Sequence, residues 1–110
     1  RRAEAERSAE GNAAEAAARD LAAEAGGAWE RCVQGREAAG RFDREILPRA
    51  EAAGRAVERA FELGETSLID VLDARRVLLD VRKEQLAAGL NARVECTALG
   101  VLTGESDDGK

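Results

Sequence analysis

The stretch ELGETSLIDVLDAR, Glu62 to Arg75, breaks an otherwise continuous Ala-, Glu- and Arg-rich helical pattern. Gly64 follows directly on that pattern, and glycine takes the positive φ that closes a helix C-terminus. Ser67 and Asp70 then form an S-x-x-D pair, the spacing at which a serine hydroxyl and a carboxylate cap a helix N-terminus reciprocally. One helix therefore ends before Gly64 and another begins at about Ser67, with residues 63–67 between them. A connection this short makes neighbouring helices antiparallel. The stretch predicts an all-α fold, a long antiparallel two-helix coiled-coil hairpin over residues 1–104 with its tip at 63–67.

Working outward, the first helix is expected over about 3–62. Residues 3 to about 25 are strong helix formers, Gly26-Gly27 weakens the pattern, and Trp29 to Phe42 resumes it. Small or apolar residues recur at 4/3 spacing: Ala14, Ala18, Leu21, Ala25, Ala28, Cys32, Gly35, Ala39, Phe42 and Ile46, continuing through Ala53, Val57 and Ala60. These fall on one stripe of a helix. Pro48 removes an amide donor and crowds the preceding turn, so a kink or break is expected near Glu45 to Pro48; two separate helices joined there are the alternative. The second helix is expected over about 67–103, some 55 Å long. Residues 105–110, ESDDGK, read as a disordered tail.

The chain has 110 residues, 45% hydrophobic but only 3% aromatic, 35% charged, and a net charge of −5. Alanine supplies much of the apolar content, a bias that belongs to long helices and coiled coils. Lys and Arg are scattered among acids, with no basic stripe for nucleic acid. No apolar run approaches the roughly 20 residues of a membrane-spanning helix. The abrupt start inside a helical pattern, RRAEAERSAE, is expected of a piece of something larger.

The second helix carries two apolar faces. Leu68, Leu72, Leu79, Leu86, Leu90, Val94 and Val101 cluster within about 80° on a helical wheel. Val71, Ala74, Val77, Leu78, Val81, Ala88, Ala92, Cys96, Leu99 and Leu102 take the opposite half. A simple hairpin buries one stripe per helix, so the other face requires a partner: a further hairpin of the same parent, another subunit, or a second copy in a self-associated helical bundle. Cys32 lies about as far before the turn as Cys96 lies after it. They are expected to face each other, where an oxidising compartment would cross-link them; two packed, reduced cysteines are the alternative. With no His and no further Cys, no metal site or cofactor is read from the chain.

The run from Phe61 to Gly104, FELGETSLIDVLDARRVLLDVRKEQLAAGLNARVECTALGVLTG, resembles the TolC family of outer-membrane efflux proteins. The shared form is an aromatic (Phe61), two residues, glycine (Gly64), a few polar residues, an I/L-D-V-L-D-A run (Asp70, Asp73, Ala74), and a long helix ending in L-x-x-L-G-like sequence. ILPRAE, Ile46 to Glu51, is similar to the heavy-metal-efflux branch. The resemblance implies one hairpin of a periplasmic α-helical barrel in a homotrimer, whose parent sits in the outer membrane of a Gram-negative bacterium. Its tip would face a periplasmic adaptor and an inner-membrane transporter. Asp70 and Asp73 would form the acidic constriction at the tunnel entrance. Phe61 stands where relatives commonly carry Tyr, and Thr66 where some carry Arg, so a hydrogen-bonded lock through those side chains does not transfer.

Three copies of an aspartate at a narrow mouth concentrate negative potential and favour cations. Alternatively Asp70 caps its helix and Asp73 complements the helix dipole. No nucleophile–base set is present, so the chain reads as a non-enzyme, a passive conduit segment. The α-hairpin of a periplasmic adaptor protein, or a purely structural coiled coil, is the other reading.

Overall fold

A computed structural model describes residues 2–104. Three α-helices, α1 (Arg2–Arg41), α2 (Leu47–Glu62) and α3 (Leu68–Leu102), are joined by a π-helical turn at Phe42–Ile46 and by the tip. The first arm, α1 through α2, runs antiparallel to the second arm, α3, and the described residues contain no strand. The molecule is a rod of 91 × 30 × 16 Å, with a radius of gyration of 24.8 Å. A compact chain of this length would have a radius of about 13 Å, so the hairpin has no globular core. The expected tail at 105–110 lies outside the described residues.

The irregularity expected near Pro48 takes the form of a π-turn rather than a break. The Leu47 N–H donates to the Phe42 carbonyl, one residue further back than in an α-helix. A proline ring at position 48 crowds the carbonyl of Arg44, and the wider π-turn gives it room while the helical path continues. The inserted residue also shifts the buried stripe. Beyond the turn Val57 and Ala60 keep their expected places on the half-buried side and Ala50 and Gly54 join them, while Ala53, also expected on the stripe, is exposed.

Packing between the arms is close and built from small residues. Ala28, Cys32, Val71 and Ala92 are the buried hydrophobic residues, and Gly35 is buried among them. A Cβ built at Gly35 would lie 3.1 Å from the Ala92 Cα, so any side chain there would press the arms apart, and glycine permits their close approach. One turn along α3 from Ala92, Cys96 meets Cys32 in a disulfide, with the two Cα atoms 4.6 Å apart. The small-residue contact brings the backbones within the span such a bridge requires. Ion pairs line the rim: Arg75–Glu58 at 3.3 Å, Arg31–Glu95 at 3.5 Å and Arg82–Glu51 at 3.6 Å. Gln85 donates to Asp43 of the π-turn at 2.7 Å. These side chains are exposed or half-exposed, so each pair contributes at most about 1 kcal/mol.

Two expectations about the stripes are corrected. Ala14, Ala18 and Leu21 continue the inward line of α1 but are exposed, because α3 ends at Leu102 and no described residue lies opposite them. Val77, grouped by the helical wheel with Val71, Ala74 and Ala92 opposite the leucine cluster, is exposed, since it lies at the margin of the contact and the thin first arm does not reach it. Leu68, Leu72, Leu79, Leu86, Leu90, Val94 and Val101 all point away from the first arm, 52–73% exposed.

Closing the arms through a sequence separation of 64 residues restricts the unfolded chain by about 4 kcal/mol. Reduction with a thiol is therefore expected to lower the urea midpoint by a large fraction of total stability, followed by circular dichroism at 222 nm. Gly35→Val is expected to destabilise by about 1–3 kcal/mol and to slow reformation of the bridge. Unchanged midpoints in both would contradict the close approach.

Candidate functional site: the hairpin tip

The tip is built from the backbone upward. At the end of α2 the Glu65 N–H reaches the Ala60 carbonyl at 2.8 Å, and the Gly64 N–H reaches that of Phe61 at 3.0 Å. These paired bonds satisfy helix carbonyls that would otherwise lack donors, and they require a left-handed residue between them. Gly64 supplies it with φ +75°. A Cβ there would meet nothing within 4 Å, so the demand for glycine comes from the backbone and not from crowding.

Ser67 is extended and opens α3. Its hydroxyl accepts the Asp70 N–H at 3.4 Å and donates to Asp70 Oδ2 at 3.2 Å, while its own N–H donates to the same oxygen at 3.4 Å. The Thr66 hydroxyl donates to that oxygen as well. Asp70 is thus gripped by three local donors. The Thr66 hydroxyl first, then the Ser67 backbone and hydroxyl, hold its carboxyl below the usual aspartate pKa despite full exposure.

The structure brings Thr66, Ser67 and Asp70 together and leaves Asp73 apart. Asp73 lies one turn further along α3, exposed, with no hydrogen bond or ion pair among the described residues. Phe61 sits on the other arm at the tip, 43% exposed, with its backbone carbonyl in the turn. The role of Thr66 was missed in the sequence, where it counted only as an absent charge; a hydroxyl four residues before a capping aspartate is the signal that finds it. Also missed was the apolar character of the tip. Leu63 and Ile69 are 68% and 67% exposed, beside exposed Phe61 and Leu68.

Among the described residues no group of three or more His, Cys, Asp or Glu side chains could hold a metal ion, and no helix is long and apolar enough to cross a membrane. The shallow grooves along the rod open widely to solvent. One interarm groove, about 210 Å³, has Glu51, Glu58, Val71, Arg75 and Arg82 among its lining residues. Fold and tip define an all-α antiparallel helical hairpin with a doubly capped turn. Comparison with protein-family models, with curated proteins and with solved structures finds no match.

Because folding lowers the Asp70 pKa, its contribution to stability is present above the unfolded-state value and is lost as pH falls through the lower, folded value. Hydrogen-exchange protection factors at the tip, corrected for the intrinsic rate at each pH, are expected to fall selectively on acidification, and the fall to vanish in Asp70→Asn. Ser67→Ala is expected to cost about 1 kcal/mol, and Gly64→Ala about 1–2 kcal/mol through the left-handed backbone alone. Urea unfolding checks both values.

Proposed function

We propose that this hairpin is a wall segment of a TolC-type export conduit, part of a periplasmic α-helical barrel in a trimeric outer-membrane protein. The observation that carries the reading is the tip itself. A left-handed Gly64 reverses the chain, and Asp70 and Asp73 follow at once on the arm that begins there. Two further features support it. After pairing with the first arm, α3 still presents an exposed leucine face, as a stave with a neighbour on each side would. The Cys32–Cys96 disulfide suits an oxidising compartment such as the periplasm.

In this reading the chain carries out no reaction. It lines a water-filled duct, and its exposed apolar tip, with Leu63, Leu68 and Ile69, docks the adaptor and pump. The disulfide and the Gly35–Ala92 contact hold the arms in register, so opening proceeds by movement between hairpins rather than within one. Asp73 projects freely, whereas the Asp70 carboxylate is bound by local donors. The three Asp73 carboxylates of a trimer therefore dominate the potential at the mouth.

Planar-bilayer conductance of the full-length parent tests this. Asp73→Asn is expected to reduce cation-over-anion preference more than Asp70→Asn, and the double variant to reduce it most. Unchanged preference in the double variant would overturn the pore-mouth role. The exposed apolar tip also suits the α-hairpin of an adaptor protein, and the same experiment separates the two, since an adaptor alone conducts no current.

A further inference from the structure

Lys and Arg alternate with acids along the sequence, but on the helix the outward face of α3 is segregated by charge as well as by polarity. Take Leu79 as the centre of the exposed sector and lay out α3 at about 100° per residue. A sector some 140° wide then contains the exposed leucines together with Arg75, Arg76, Arg82, Lys83 and Arg93, and no acidic residue. The acids of α3, Asp70, Asp73, Asp80, Glu84 and Glu95, all lie outside it. Arg75 and Arg82 turn back to Glu58 and Glu51 of the first arm. Arg76, Lys83 and Arg93 have no ion pair among the described residues. The free face is thus a leucine seam bordered by three uncommitted cations.

Leu72, Leu79 and Leu86 recur every seven residues, and Leu68, Leu72, Arg75, Leu79, Arg82 and Leu86 alternate steps of four and three. That is the period of a coiled-coil seam, which meets another helix knob into hole. A lipid surface is a poorer match, because the sector carries no aromatic side chain and its leucines keep the coiled-coil period. A second copy laid on this face, parallel or antiparallel, would set cations against cations with no acid to relieve them.

From this charge pattern we infer that the outward seam of α3 is a docking surface for an acidic amphipathic helix, one whose apolar stripe is flanked by Asp or Glu. The inference stands on the seam alone and holds whether or not the hairpin belongs to an export conduit. Leucines supply the buried area, and Arg76, Lys83 and Arg93 select the partner by charge and set its register.

Two synthetic helices of the length of α3 test the assignment by fluorescence anisotropy with the oxidised chain. They share one leucine seam, flanked by Glu in one and by Lys in the other. Three exposed charge pairs predict that the Glu-flanked helix binds about tenfold more tightly at low salt, with the advantage disappearing near about 1 M salt. The triple variant Arg76→Glu, Lys83→Glu, Arg93→Glu is expected to reverse the preference, and Leu79→Glu with Leu86→Glu to abolish binding of both. All these positions are exposed, so unchanged helicity by circular dichroism is expected and confirms that folding is intact. Equal affinities, or a preference that survives charge reversal, would overturn the inference. So would tighter binding to phosphatidylglycerol vesicles than to the Glu-flanked helix, or a homodimer that is lost in the Leu79→Glu, Leu86→Glu variant.

Discussion

A left-handed turn at Gly64, locked on one side by backbone bonds to Ala60 and Phe61 and on the other by the Ser67–Asp70 capping box, places every other residue of the hairpin. Two helices that end and begin within a few residues of each other must run side by side. Once they do, the face each arm turns to the other is fixed by the 3.6-residue period. Cys32 is carried to Cys96, Gly35 to Ala92, and the leucines of α3 to solvent. The exposed leucine face is in this sense a consequence of the turn.

The contact between the arms is thin for its length. Its buried hydrophobic residues are Ala28, Cys32, Val71 and Ala92, and at about 25 cal/mol per Å² such small side chains contribute modestly. Small residues do offer close approach, which places the cysteines in bonding range, and the bridge then limits the unfolded ensemble. The π-turn has a comparable role in the first arm. It accommodates Pro48, brings Ala50 and Gly54 onto the inward side beside Val57 and Ala60, and presents Asp43 to Gln85.

The hairpin, the tip limits, the capping box and the two faces of α3 were legible because each rests on local chemistry: a glycine, an S-x-x-D pair, a helical period. The facing of Cys32 and Cys96 followed from counting along two rods of equal rise. The shift of the stripe past Pro48 was not legible, because a proline marks a disturbance without saying whether the helix will kink, break or widen. The exposure of Ala14, Ala18 and Leu21 depends on where the opposite arm ends, a non-local fact. At the tip, Thr66 read as a missing charge, and only geometry revealed its hydroxyl on Asp70.

Two arms lie side by side with apolar surface left over, and small-angle X-ray scattering extrapolated to infinite dilution measures this most directly. The doubled rod predicts a radius of gyration near 24.8 Å. One uninterrupted helix through Gly64 would give about 45 Å, and a collapsed globule with no seam left to share about 13 Å. Either value would contradict it.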